Sequence, residues 1–537
     1  MRTIRVEIKN LCEAAGVPPV QELNSAQADL MIRSQYGFLP QPITWQISGN
    51  EVVIQYPEAS EANRNEAERL AVRAGNHAAA GKYDRAIGIL KRTLELAPSM
   101  HRARLDLAMA YVQVGDVDNA IDHLIEVLRM NPTDSSSWVV LANLYIQKKS
   151  DHKTGEKFLR KTLEITPSNP WALNSLATLA MEEGKFVDAF PIFEQIIASS
   201  PKFANAYYGE AVIYSHAEKP DQAVMVLEKM FACAEMQDVR SRPVYAAARQ
   251  LFGELQVKLA ERNQLEVFQL VQNYQAEVEF VSNYPVRIQA EEFNTKIGAT
   301  LQVAWKHKRD FHLLLIRSSY PPTLIAHLEC HELTHLKLES VARKAGKNLF
   351  FTTTAATREK AIRSIENDIR RWEKAGFSEE RIIEVTLSLT RGLCEFLFNC
   401  PLDMLIERDL RSSFPLLRPA QFLSVCKLAT KAAETDRHPE VRKLYPPQLM
   451  KVLLALNGTN ALFLDDLFKG TTELSNAYRS EETFGLSQKL WKHWQERSTN
   501  LSPGAEYGLE DEFADMVGLR GWYEWKSDCL ETSKPIT

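Results

Sequence analysis

The chain has 537 residues, enough for more than one domain, with an ordinary apolar content of 45% and charged content of 25%. A net charge of −5 argues against nucleic acid or anionic membrane as a general partner, and no apolar run reaches the length of a membrane span. Seven scattered cysteines (12, 233, 330, 394, 400, 426 and 529) form no C-x-x-C, which argues against a disulfide framework and for a reducing, cytoplasmic setting. The N-terminus, MRTIRVEIKNLCEAAG, lacks the apolar core of a signal peptide.

Residues 1–58 read as a small α+β unit. Thr3–Lys9 alternates like a strand, and Ile43–Ile47 and Val52–Tyr56 flank Ser48-Gly49-Asn50-Glu51 as a hairpin. From Asn63 an internal repeat sets in. Pro98, Pro132, Pro167 and Pro201 fall 34, 35 and 34 residues apart. Ala86, Ala120, Ala189 and Ala223 keep the same beat, with Gly155 in the equivalent slot of the third unit. Gly81, Gly115 and Gly184 mark inner turns, so each unit reads helix, turn, helix, Pro. Trp138, Leu141, Ala142 and Tyr145 complete the pattern in the third unit.

This pattern resembles the tetratricopeptide repeat family. The resemblance implies five hairpins over 63–235 that stack into an α-solenoid, because one hairpin cannot bury its apolar side alone. It also implies a concave groove that binds an extended peptide or a partner helix. By phase, Asn143, Trp171, Asn174, Asn205 and Tyr208 fall near that groove. Residues 236–285 continue as helix and are expected to cap and connect the array. No Gly/Ser/Pro-rich linker follows, so docking rather than loose tethering is expected.

The segment 286–537 holds the densest chemistry. Two strand-like runs, Thr300–His307 and Phe311–Ser318, precede a helix from Pro322 to about Arg343. That helix contains His331-Glu332-Leu333-Thr334-His335, an H-E-x-x-H. Residues four apart share a helix face, so His331 and His335 can offer two imidazoles to one zinc ion, with Glu332 as general base. Strand, turn, strand and H-E-x-x-H helix resemble the zincin metallopeptidases. LFFTTT (Leu349–Thr354), a charged helix Arg358–Lys374 and a long helix from Ser378 to about Asp409 follow, with Pro401 a point of bending or breakage. Helices continue to the end, and the acidic and aromatic segment 507–525 is expected to pack back on this domain.

Zinc needs a third protein ligand. The long helix supplies Asp403 first, then Glu407, then Glu395 as candidates. Glu395 and Asn399 have the E-x-x-x-N spacing seen in many zincins. Asn399, Asp403 and Glu407 share a face if the helix persists through Pro401. Cys330 and Cys400 lie beside these residues and read as packed thiols rather than ligands. His327 continues the histidine stripe at the site margin, Glu339 is placed to orient His335, and Glu329 lies nearby. Arg391, His438 and Tyr445 are candidate oxyanion donors, and Phe311–Ser318 is the expected strand for pairing with substrate backbone.

The expected architecture is mainly α: a small α+β unit, a tetratricopeptide solenoid and an α+β zincin-like domain with a helical extension. Three functions fit it. The first is a zinc metallopeptidase whose repeats recruit a protein substrate or regulator. The second is a repeat scaffold that keeps the metal without turnover. The third is an interaction protein with an incidental H-E-x-x-H. Retention of Glu332 favours the first, because catalysis needs that residue and metal binding does not.

Overall fold

A computed structural model describes residues 1–20, 23–233, 242–292, 298–499 and 501–528. Cys529 and the first residues of the expected connector, 236–241, lie outside the described residues. The chain is mainly helical and divides into two compact units, Met1–Glu210 and Ala211–Thr537.

In the first unit, Arg2–Glu7 and Thr44–Ser48 pair antiparallel with a central strand, Glu51–Tyr56. Alternation puts Val52, Ile54 and Tyr56 against the helices Ile8–Ala14 and Ser25–Tyr36, where Leu11, Ala28 and Ile32 are buried. Antiparallel helix pairs follow. In Val117–Met130 the buried Ala120, Ile121, Leu124, Val127 and Leu128 recur at three and four residues, the stripe a stacked helix must hide. Burying each larger side chain contributes about 2 kcal/mol. Asp116, Asp151 and Asn169 cap their helices by accepting backbone N–H groups, worth ~1 kcal/mol apiece.

The beat of the repeat has a visible cause. The residue six places after a proline reaches back to that proline's carbonyl: Arg104 to Pro98 at 2.8 Å, Trp138 to Pro132 at 2.9 Å and Tyr207 to Pro201 at 3.0 Å. Leu173, six after Pro167, has no donor and is buried instead. Ala86, Ala120 and Ala189 are fully buried where paired helices touch. In the third unit the approach is closer still. A Cβ on Gly155 would lie 2.3 Å from Ile146 Cγ1 and 3.0 Å from the Ala142 carbonyl oxygen.

In the second unit, helices Arg242–Arg262 and Gln264–Ser282 lead to a three-stranded sheet. His312–Arg317 is its central strand, parallel to Val286–Glu291 and antiparallel to Ala299–Gln302. This corrects two expectations. The strand expected over Thr300–His307 stops at Gln302, because the chain then turns, with Lys308 at φ 51° and the Ala304 N–H donated to His312 Nδ1 at 3.0 Å. Phe311–Ser318 cannot receive a substrate strand, since both its edges are already paired.

Two further details differ from the sequence reading. The helix expected over Arg358–Lys374 is two helices, Ala355–Ser364 and Glu366–Lys374, broken at buried Ile365. The long helix, Glu379–Ser413, runs unbroken through Pro401. Proline removes one helical hydrogen bond there, and the buried Trp494 Nε1 donates to the Pro401 carbonyl at 3.0 Å. The end of the chain packs back: Leu349–Thr352 pairs antiparallel with Glu524–Ser527, and Phe351, Phe398 and Tyr523 meet ring to ring.

Gly155→Ala should lower stability by about 1–3 kcal/mol, because Ile146 has to move away from the added methyl group. Gly88→Ala, in an open helical position, should raise it by up to ~1 kcal/mol. Urea unfolding of the two variants would check the contrast, and equal midpoints would contradict the packing account.

Candidate metal centre

The helix Pro322–Lys344 starts on a proline that needs no N–H and carries two different faces. Cys330, Leu333 and Leu336 pack into the core with Val271, Val278 and Leu314. His327, His331 and His335 face the long helix Glu379–Ser413, which runs antiparallel to it. Successive turns therefore meet in opposite order: His327 with Glu407, His331 with both Glu407 and Asp403, and His335 with Asp403.

His335 Nε2 lies 3.2 Å from His331 Nε2 and 3.0 Å from Asp403 Oδ1, and the third edge, His331 Nε2 to Asp403 Oδ1, is 3.4 Å. Four-coordinate zinc with bonds of ~2.0–2.1 Å holds its ligand atoms about 3.3 Å apart. The three atoms thus have the spacing of one face of such a tetrahedron, and two imidazoles with a carboxylate are a donor set zinc accepts.

Glu407 has a different position. Its carboxylate accepts from His331 Nδ1 at 2.8 Å, from His327 Nε2 at 3.0 Å and from Gln421 Nε2 at 2.7 Å. The bond to Nδ1 turns Nε2 of His331 toward His335 and Asp403. A carboxylate accepting three hydrogen bonds is well suited to orienting a ligand, whereas Asp403 uses only Oδ1 toward the histidines among the described residues. His327, His331 and Glu407 also form a compact group of ligand-type atoms. Both of its histidines are hydrogen-bonded to Glu407, and His327 is buried.

Burial alone would lower the His331 pKa, but the hydrogen bonds to Asp403 and Glu407 hold it well above the ordinary imidazole value. Burial would likewise raise both carboxyls. The histidines outweigh it, holding Asp403 and Glu407 below the usual carboxylate range.

Several sequence expectations need correction. Glu395 is not among the converging ligand atoms. A step of four residues advances about 40° beyond a full turn, so Glu395 sits ~80° round from Asp403 and ~12 Å along the axis. It is exposed and accepts from Arg391 Nε at 2.7 Å. Asn399 lines a cavity beside His335 without bonding to the cluster. Glu339 does not orient His335: it takes Lys306 Nζ at 2.8 Å and Asn348 Nδ2 at 3.4 Å. Arg391, His438 and Tyr445 are all absent from the lining of the cleft at the site, where Arg437, Asn460 and Tyr478 stand instead.

Glu332 is half-buried and lines both a cleft of about 590 Å³, shared with His331 and Asp403, and a cavity of about 600 Å³, shared with His335. Cys330 and Cys400 are buried, burial pushes both thiols up, and neither joins a ligand group. Glu329 is partly buried on another side of the helix, where burial lifts its carboxyl to about 7. Gln421 gave no signal in the sequence: a single glutamine on the helix Arg418–Arg437 has no spacing that ties it to the histidines.

In the repeats, Asn143 Oδ1 accepts from Ser175 Oγ at 2.9 Å, and Trp171, 43% exposed, meets Phe203 edge-on at 4.8 Å. Asn174, Asn205 and Tyr208 are half-buried.

The tetratricopeptide repeat family model matches residues 77–144 and 180–238, so the chain carries tetratricopeptide repeats. Tetratricopeptide repeat protein 21A of Mus musculus is 27% identical over 164 residues, covering 30% of this chain and 12% of that protein. Its Homo sapiens counterpart is 24% identical over 182 residues, covering 33% and 14%. The chain thus spans 12–14% of the length of these curated relatives. A thermophilic tetratricopeptide repeat protein of Thermus thermophilus is similar at 19% identity and a TM-score of 0.30, covering 34% of this chain and 98% of that one. Among the described residues no helix is long and apolar enough to cross a membrane.

A zinc ion held on this triangle should be lost in His331→Ala, His335→Ala and Asp403→Asn alike. Glu407→Gln should weaken its binding about 10–100-fold, the usual cost of removing an orienting carboxylate, and Glu395→Gln should change nothing. Chelator competition ranks the set. Because His331 holds its proton above the ordinary imidazole range, zinc has to displace it, so affinity should fall as pH falls. Calorimetry in buffers of different ionisation enthalpy should show release of about one proton near neutral pH.

Proposed function

We propose that the protein is a tetratricopeptide interaction array joined to a unit that holds one zinc ion (Zn2+) on His331, His335 and Asp403. Protein or peptide recognition by the array is supported by the family match and by the recurrence of groove positions. Asn205 and Tyr208 repeat Trp171 and Asn174 34 residues on, and Asn143 is bonded to the next inner helix through Ser175. The metal reading rests on one observation, the triangle of two imidazole nitrogens and a carboxylate oxygen with edges of 3.0, 3.2 and 3.4 Å. Six unpaired cysteines among the described residues support a reducing, cytoplasmic setting.

A second reading, peptide hydrolysis by a zincin-like domain, is favoured by Glu332. This carboxylate stands beside both histidines, open to the cleft and to the cavity, with no hydrogen-bond partner among the described residues. Zinc, when bound, supplies a Lewis acid that polarises a carbonyl. Glu332 takes the proton of the attacking water and returns it to the leaving amine. His331, steadied by Glu407, keeps its ring in place throughout.

Elemental analysis of the purified chain should find about one zinc, lost in His331→Ala. Absence of zinc from both, even after supply, would leave the interaction array alone. Glu332→Gln should retain zinc and lose any peptide cleavage, and cleavage at the parent rate would overturn the hydrolytic reading. Peptides selected by display on the full chain should bind Trp171→Ala and Tyr208→Ala about tenfold more weakly, ~1.4 kcal/mol. Unchanged binding would move the recognition surface elsewhere.

A further inference from the structure

The cavity on the His335 side of Glu332 has a wall that the proposed chemistry leaves unused. It is formed by the helix Glu506–Val517, on which Glu506 and Glu510 stand one turn apart. Glu510 is only 3% exposed, and its carboxyl has no hydrogen-bond partner among the described residues. Burial, with Glu506, Asp511 and Asp403 nearby, pushes this carboxyl well above the usual range, as expected of an acid without a counter-charge.

The other charges around the cavity are committed. Lys306 is held by Glu339 at 2.8 Å, and Glu395 by Arg391 at 2.7 Å. The two positive charges of a zinc ion would already be offset by Asp403, Glu407 and Glu332. What remains is a pair of unbalanced carboxyls beside Phe350, Phe351, Tyr507 and Trp525. The polar atoms of the last two are occupied, Tyr507 Oη by Asn348 and Trp525 Nε1 by Asp511, so ring surface is what they offer. Lys306 Nζ already lies 4.7 Å from the centre of the Phe350 ring. Unbalanced acids next to aromatic rings favour a cation with N–H donors.

We infer that this cavity receives the cationic group of a substrate peptide, an ammonium or guanidinium bound by Glu510 and Glu506 next to the metal. The inference rests on the zinc-hydrolase reading and adds the charge of the substrate. The group has two possible sources, a free chain terminus or a Lys or Arg side chain.

The test uses three peptides of equal length with the same apolar residues. One has a free amino terminus and no Lys or Arg, one is N-acetylated with a single Lys, and one is N-acetylated with norleucine in place of that Lys. Their binding is measured by calorimetry on the full zinc-loaded chain carrying Glu332→Gln, which holds substrate without turnover. At least one cationic peptide should bind tenfold or more tightly than the neutral one, and which does so identifies the source. Adding Glu510→Gln should bring its affinity down to that of the neutral peptide while zinc content stays unchanged. Glu506→Gln provides a second, milder variant.

Equal or undetectable affinity for all three peptides with zinc in place overturns this inference and leaves the metal centre standing. Loss of zinc on Glu510→Gln overturns it too, by placing that carboxylate in the metal's own coordination. Absence of zinc from the parent chain instead overturns the reading on which the inference rests.

Discussion

A carboxylate buried between two helices has to find donors, and Glu407 finds three: His327, His331 and Gln421, one of them from a third helix. An unpaired charge at that depth would cost several kcal/mol, so the packing of these helices is coupled to the pairing. The same bonds fix the ring of His331 and with it the direction in which Nε2 points. His335 and Asp403 then complete the triangle almost without further freedom, because the antiparallel helices already bring their turns level. One residue would meet both the core's requirement and that of the proposed metal.

The repeats were the most legible part of the chain, because their spacing is set by local chemistry repeated in phase. Prolines, small residues and αL turns recur in the sequence as they recur in space. Even the irregular turns obey the rule: Ser150 at φ 54° and Glu218 at φ 55° occupy the left-handed position that Gly81, Gly115 and Gly184 take elsewhere.

The candidate site was legible only along single helices. His331, Glu332 and His335 follow from a spacing of four, and Asp403 and Glu407 from the same spacing on the long helix. The order Asp403 before Glu407 is a ranking by spacing alone, because the roles proposed for the two carboxylates depend on how the two helices are rotated against each other. Gln421 and Glu510 belong to helices far away in sequence; the acidic and aromatic character of 507–525 points to docking on this domain but not to the place of Glu510 in the cavity, and nothing marks Gln421. The expected substrate strand failed for a related reason. A strand's neighbours decide whether its edge is free, and nothing within Val286–Glu291 ties it to the parallel edge of His312–Arg317.

Arg104 and Arg129 both belong to the second hairpin of the array, yet they reach the N-terminal unit, Arg104 over the ring of Phe38 and Arg129 to the backbone and side chain of Gln35. Met130 adds an apolar contact to the same core. The helix Ser25–Tyr36 and the turn after it thus grip the array beyond the hairpin that directly follows the N-terminal unit in the chain. In a simple stack each repeat is held by its neighbours alone, and the first one frays. Here the first hairpin lies between the N-terminal unit and a second hairpin that also contacts that unit, so it peels away only if those contacts are released as well. The end of the array where fraying would normally begin should open as part of a larger cooperative unit.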